Sequence, residues 1–436
     1  MQSQWAWRIQ MKIKVKTSTY DEVCALPKPE MKKPVKQSAL ARAILNFASG
    51  GEIKAVNFSY EEIGMEKLGK NEPALFLMNH SSFTDLMIAA RMLRKRQYHI
   101  ITTNDGFIGK SSLMRWIGCI PTRKFIAEMS LVKDMQYTFK ELNSSILMFP
   151  EASYSFDGSM TPLPKSLGKL IKIMKIPVVM IAAKGAFLRD PLYNNLQKRK
   201  ADVSATVTYR FSPEDIASLS VQEINAILSK EFTYDHFRDQ VARRVKITEK
   251  FRADGLHRPL FKCPHCLCEG NMEGRGIMIK CKSCNFEAEL TEEGTLSYKE
   301  IPDGNTTSTN TQKFVTDWYA WERECVRQEL LNGTYCMEMD VDILMLVDYK
   351  CMYRVGEGIL IHSADGFKLT GCDGKLEYTQ KPKSSYSLYA DYFWYEIGDV
   401  ISIGDANYQY YCFPKNQKKA IVAKARLAAE ELYKMS

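Results

Sequence analysis

The residues NHSSFTD (79–85) follow directly on the apolar run PALFLM (73–78) and lead into TDLMIAARMLRKR (84–96), whose apolar residues recur at helical spacing. A buried strand ending near 78, a short loop and a helix beginning near 84 make one α/β unit. In that unit His80 sits at the strand's carboxyl end and Asp85 in the first helical turn, the edge where open α/β sheets place ligands. Two readings are open on these residues alone. Either His80 is a structural cap, or it takes a proton from a substrate while Asp85 holds its tautomer and steadies the imidazolium.

The same alternation continues on both sides. Strand-like runs YHIITT (98–103), SSILMFPE (144–151), IPVVMIAAKG (176–185) and ADVSATVTYRF (201–211) are separated by the helix-like SLVKDMQYTFKEL (130–142) and PKSLGKLIKIMK (164–175). This predicts an α/β fold, a layered domain with helices against a mixed, largely parallel sheet, over 55–250. One or two helices follow at 212–232, the second starting near Ser220. Before this domain, residues 1–54 form a basic lead-in. It holds an amphipathic stretch at 31–48 that reads as a membrane-docking helix stopping at Gly50-Gly51. After the domain come a cysteine-rich segment (258–295), a polar linker (301–312) and a C-terminal α+β domain (313–436). The last has a helix at 314–332, a Tyr-, Val- and Ile-rich stretch of short strands, and a closing helix at 418–435. Its pattern of strands closed by a helix resembles a pleckstrin-homology or GRAM-like barrel.

Other strand ends carry chemistry. FPEASYS (149–155) supplies Glu151, and GCIPTRK (118–124) supplies Arg123 and Lys124. Taken in order from 79 to 185, these stretches resemble the glycerolipid acyltransferase family, whose best-known members acylate glycerol phosphate and lysophosphatidic acid. The family's N-H-x-x-x-x-D motif is matched by Asn79, His80 and Asp85. Its F-P-E-G-T-R-S motif is matched by Phe149, Pro150, Glu151 and Ser155, with Ala152 in the glycine's place and Tyr154 in the arginine's. Its G-x-x-F-I-x-R motif is met by Gly118, with Lys124 in the arginine's place and Arg123 beside it. Ile176-Pro177 matches the fourth motif. The resemblance covers roughly 55–215. It implies His80 as general base oriented by Asp85, with Asn79, Gly118, Arg123, Lys124, Phe149, Pro150, Glu151 and Ser155 on the substrate side, Glu151 positioning the acceptor through its hydroxyls. It also implies acyl-CoA or an acyl-carrier protein as donor, and a lysophospholipid or glycerol-phosphate-like hydroxyl as acceptor. Tyr154 can donate a hydrogen bond but cannot pair bidentately with phosphate. Arg123, Lys124, Lys165 and Lys169 are the candidates to replace that charge. Ser81 and Ser82 lack the G-x-S-x-G elbow of a serine nucleophile.

Five of the twelve cysteines fall between 263 and 284. Cys263-Pro-His-Cys266 and Cys281-Lys-Ser-Cys284 are two C-x-x-C knuckles separated by fourteen residues, the spacing of a zinc ribbon that binds structural Zn2+ through four thiolates. EGNMEGRGIMIK (269–280) suits the hairpin between the knuckles and NFEAEL (285–290) a third strand. Cys268 and His265 are left outside the complete set.

With 45% hydrophobic and 25% charged residues the chain is a globular protein, not a disordered one. No run approaches the roughly 18 apolar residues of a spanning helix, and the N-terminus lacks the pattern of a signal peptide. The expected location is cytoplasmic, peripheral at the inner face of a membrane. Net charge is +9, with nine Lys or Arg against three Asp or Glu in the first fifty residues, which suits an anionic membrane surface. The rival classes are a nucleic-acid-binding zinc-ribbon protein and a lipid-binding pseudoenzyme. No nucleic-acid partner is expected, because the ribbon carries Glu269, Glu273, Glu287 and Glu289 instead of basic–aromatic interleaving.

Overall fold

The computed structural model describes residues 13–30, 32–284, 286–298, 312–416 and 421–436. Most of the expected linker, the first residues of the basic lead-in and the expected start of the closing helix lie outside them. In chain order, β1 is Val15–Thr17, β2 Ser59–Ile63, β3 Leu75–Met78, β4 Tyr98–Thr103, β5 Cys119–Thr122, β6 Ser145–Met148, β7 Val178–Lys184 and β8 Ser204–Phe211.

Strands β2 to β8 form one sheet in the order β2-β8-β7-β3-β6-β4-β5. Every neighbouring pair is parallel except β7 with β8. β3 is buried along its whole length because helices cover both faces. Alternation sends Phe76, Met78, Val179 and Ile181 to one side and Leu75, Leu77, Ile146 and Met180 to the other. Helices Thr84–Met92, Met129–Lys140 and Leu167–Met174 stand where the apolar spacing predicts. The pair Pro213–Ser218 and Val221–Glu231 divides at Ser220, whose side chain caps the second helix by accepting from Glu223 N–H.

The expected helix stop at Gly50-Gly51 is overruled: the helix runs from Ala39 to Ala55. Its last turn is anchored by buried Val56 and by Glu52, which pairs with Arg189 and Lys198. Tertiary contacts there outweigh the propensity cost of two glycines, about 1 kcal/mol each.

β9 (Met272–Arg275), β10 (Met278–Cys281), β11 (Glu287–Leu290) and β12 (Leu296–Tyr298) make a small antiparallel sheet. It contains the expected hairpin and third strand, plus a fourth. The C-terminal unit opens with helix Val315–Leu331. Its strands are β13 (Cys336–Met345), β14 (Met352–Ser363), β15 (Gly366–Gly371), β16 (Leu376–Gln380), β17 (Tyr389–Trp394), β18 (Gly398–Gly404) and β19 (Gln409–Pro414). They pair in the order β16-β15-β14-β13-β19-β18-β17, and helix Val422–Met435 closes the unit. β1 of the lead-in joins this sheet, parallel to β14 with Val15 opposite Met352. The sequence placed these residues in a lead-in because three residues carry too little pattern to declare a strand.

One apolar cluster joins the three parts. It contains Phe156, Phe187 and Phe237 beside the first sheet, Ile279, Phe286 and Leu290 of the cysteine-rich sheet, and Val341, Ile401 and Leu427 of the C-terminal unit. The C-terminal unit packs directly against the loop that follows β6, where Tyr386 OH donates to Pro150 O and Arg426 to Tyr154 O.

Candidate active site

His80 follows β3 by two residues, and the helix from Thr84 returns Asp85 to face it. His80 Nδ1 lies 3.2 Å from Asp85 Oδ2. The same oxygen accepts the backbone N–H of Ser81 at 2.6 Å and of Ser82 at 3.0 Å. A carboxylate that takes two backbone donors cannot swing, so the ring is fixed and Nδ1 carries the proton. Nε2 then keeps its lone pair and has no hydrogen-bond partner among the described residues. The His80 side chain is 15% exposed and Asp85 is fully buried. The ring sits between Phe149, with centroids 4.1 Å apart, and Tyr154 at 4.3 Å. Burial holds the imidazole below its ordinary pKa of 6.5, Asp85 opposes this, and the Lys124 cation adds to it. The geometry is that of a neutral, oriented imidazole whose Nε2 is able to accept a proton.

The other motif residues mostly turn inward. Asn79 accepts from Ala183 N–H at 2.7 Å and donates to Ala183 O at 3.0 Å, which ties the end of β3 to β7. Glu151 is fully buried. Its Oε1 accepts His80 N–H at 3.0 Å, its Oε2 accepts the N–H and hydroxyl of Thr161 at 2.8 and 3.0 Å, and Tyr234 OH reaches both oxygens. Burial pushes this carboxyl up to about 7. Both oxygens are taken by protein donors, so Glu151 staples the His80 loop to the 149–161 loop instead of presenting a free oxygen to acceptor hydroxyls. Ser155 donates its hydroxyl to Ser159 O at 2.6 Å, and its N–H reaches His80 O at 3.3 Å. Ala152, in the place of the family's glycine, has φ +55°, a left-handed conformation that glycine adopts freely.

Four of the expected substrate residues meet other groups. Gly118 has φ +90°, and a Cβ there would lie 3.2 Å from Tyr98 O, so it is a turn glycine opening β5. Arg123 is paired with Glu128, whose other oxygen takes Arg123 N–H at 2.9 Å. Lys124 points at the C-terminal unit, its ammonium 4.1 Å from the centroid of the Tyr389 ring. Pro150 O accepts Tyr386 OH from that unit at 3.3 Å. Of the expected substrate residues, Phe149 is the one whose ring stacks on the His80 imidazole.

Sequence reading missed a buried polar group behind His80. Ser81 Oγ is 2.8 Å from His236 Nε2, and the His236 ring lies 4.8 Å from that of Tyr234, which holds Glu151. Burial pushes His236 down to about 3, so it stays neutral. Its one signal is TYDHF (233–237), where Asp235 caps the helix starting at His236, and nothing in that spacing points back to 81. His99, His257 and His362 are structural: they bond Ser144, the Gly274 N–H and Tyr335 OH respectively.

Residues 60–184 match the model of the acyltransferase family. The match spans β2 to β7 and contains every motif residue named above. Among solved structures the chain is similar to the 1-acyl-sn-glycerophosphate (LPA) acyltransferase PlsC from Thermotoga maritima, with 14% identity and a TM-score of 0.37, over 44% of this chain and 76% of that one.

Beyond the matched segment, the ligand atoms of Cys263, Cys266, Cys281 and Cys284 all lie within 4.8 Å of one another. Cys263 and Cys284 sulfurs are 3.7 Å apart, and those of Cys266 and Cys281 3.6 Å. A tetrahedron with metal–sulfur bonds of about 2.3 Å has edges of about 3.8 Å, so the four thiols fit a metal ion. Ser283 N–H points at Cys281 Sγ from 3.4 Å, a donor that would stabilise a thiolate. Trp318 of the next helix packs edge-on against Phe286 beside the knuckles and donates to Lys262 O at 3.0 Å.

Proposed function

We propose that the protein is an O-acyltransferase of glycerolipid metabolism that moves a fatty acyl group from an acyl thioester, acyl-CoA or acyl-carrier protein, to a lipid hydroxyl. The observation that carries this is the fixed His80–Asp85 pair, with Nε2 free, inside the segment that matches the acyltransferase family. In the reaction, Nε2 takes the acceptor's hydroxyl proton as its oxygen attacks the thioester carbonyl. The tetrahedral intermediate collapses, the carbon–sulfur bond breaks, and the imidazolium returns its proton to the leaving thiolate. Asp85 keeps the Nδ1 proton and offsets the transient charge. Glu151, Asn79 and Ser155 act as positioning residues that hold the loop carrying His80. A lysophospholipid or glycerol-phosphate-like molecule is the acceptor class that the resemblance implies.

The thiols at 263, 266, 281 and 284 would hold zinc. With four protein ligands the ion has no open position, so its part is structural and no step passes through it. Among the described residues no helix is long and apolar enough to cross a membrane. Access to lipid instead falls to helix Ala39–Ala55, where Leu40, Ile44 and Phe47 form a stripe 64%, 47% and 85% exposed, with Lys32, Lys33 and Lys36 in the segment just before it. The same reading places the protein peripherally on a cytoplasmic membrane face and gives the C-terminal unit, as a pleckstrin-homology or GRAM-like fold, a place near lipid.

Thiol release from acyl-CoA by the purified protein, measured with a panel of lipid alcohols, tests this reading. Acceptor-dependent release is expected, falling about 10²–10⁴-fold in a folded His80→Ala variant. Equal release by that variant would remove the assignment. No release with either donor class would favour a pseudoenzyme or a nucleic-acid-binding ribbon.

A further inference from the structure

The acyl-transfer reading leaves open what kind of molecule carries the acceptor hydroxyl, and the C-terminal unit bears on that choice. Its strand β17 and the residues before it lie against the motif loops. Tyr386 bonds Pro150 O and packs edge-on against Phe125 at 5.1 Å, and Tyr392 packs against Phe156 at 4.3 Å. Tyr389, under the Lys124 ammonium, donates to Asp105 Oδ2 at 2.5 Å, and Trp394 Nε1 donates to the same oxygen at 3.2 Å. Asp391 is two residues from Tyr389 on the same strand, hence on the same face. Asp391 and Asp105 are the carboxylates whose charge acts on Lys124.

Two of the other cations near the crevice, Arg123 and Arg426, are also matched. Arg123 is paired with Glu128. Arg426 of the closing helix comes closest to Tyr154, donating to its carbonyl at 3.2 Å, but its Nε is bonded to the buried Glu430, also at 3.2 Å. Lys165 lies over the Tyr433 ring, and Lys169 is exposed on its helix. Tyr154, in the place of a phosphate-pairing arginine, lies tilted against the His80 ring. A phosphate dianion brought here would have to take Lys124 from Tyr389 and would meet two carboxylates. Such an arrangement rejects a ligand by repulsion as much as by a missing contact.

We infer that the C-terminal unit is the acceptor-side wall of the active site, with Lys124 latched onto Tyr389 and the Asp391–Asp105 face, so that the acceptor hydroxyl arrives on a molecule without a phosphate monoester. This rests on the acyl-transfer reading. The shared chemistry is that of a lysophospholipid phosphodiester or a neutral lipid alcohol.

The test is kcat/KM of the full chain with acyl-CoA and four acceptors: glycerol 3-phosphate, lysophosphatidate, lysophosphatidylcholine and monoacylglycerol. The last two are expected to exceed the first two by about tenfold or more, the factor that one desolvated charge interaction of about 1.4 kcal/mol supplies. Which of the two responds identifies the source. Asp391→Asn removes one of the opposing charges and raises the monoester-to-diester ratio. Lys124→Met, which removes a positive charge beside the same carboxylates, does not raise that ratio. A wild-type preference for the monoesters that collapses in Lys124→Met would make Lys124 a phosphate-binding cation and overturn the inference. Absence of His80-dependent release with every acceptor would instead overturn acyl transfer itself, and this inference with it.

Discussion

His80 illustrates how far individual residues can be read from sequence. The spacing from Asn79 to Asp85 was legible because strand end, loop and helix start are local. It does not reveal that Asp85 Oδ2 also takes two backbone donors, nor that Phe149 and Tyr154 flank the ring. Glu151 was legible as a motif residue but not in its role, because its partners Thr161 and Tyr234 lie 10 and 83 residues away. Two predictions belong at this scale. Burial lowers the His80 pKa below 6.5, and the base must be neutral to act. The acid limb of kcat/KM against pH should therefore have its midpoint below 6.5, with activity retained as pH rises through neutrality, and a midpoint above 7 would contradict the burial argument. At Ala152, with φ +55°, glycine fits without strain. Ala152→Gly should raise thermal stability by about 0.5–1 kcal/mol, read as a higher Tm, whereas a fall in Tm would mean that the methyl packs usefully.

At the scale of elements, long apolar runs were readable because a strand covered on both faces needs them, and β4 is YHIITT from end to end. Short elements were not: β1 and the His236–Ala242 helix take their place from partners elsewhere in the chain. The Gly50-Gly51 stop failed for the same reason. The cysteine knuckles were readable because metal spacing is local, and the structure brings the four sulfurs together. If zinc holds this sheet against Trp318, a strong chelator or Cys281→Ser should lower Tm by several degrees and release a single zinc, measured by metal analysis. An unchanged Tm with no metal found would remove the zinc proposal. On helix Ala39–Ala55, replacing Leu40, Ile44 and Phe47 together by serine should weaken binding to phosphatidylserine-containing vesicles at least tenfold without lowering Tm, because these side chains are exposed. Unchanged vesicle binding would move the membrane contact elsewhere.

Across the whole molecule, the order of parts along the chain was legible, but their assembly was not. Composition shifts mark where segments change character, yet a single apolar cluster crosses those positions and brings Phe156 and Phe187 into one core with Ile279 and Leu427. The consequence for chemistry is that Tyr386, Tyr389 and Arg426, more than 200 residues beyond His80, help to shape the space around it. No local pattern in β17 announces that contact. The central claim remains that His80 and Asp85 run acyl transfer in this setting. Its most direct measurement is transfer of a labelled acyl chain from acyl-CoA to a lipid hydroxyl, followed as the ester product by mass spectrometry for wild type, His80→Ala and Asp85→Asn. The account predicts labelled ester from wild type, a fall of about 10²–10⁴-fold in His80→Ala and a clear loss in Asp85→Asn with the fold retained. Labelled ester formed equally by all three proteins would contradict it.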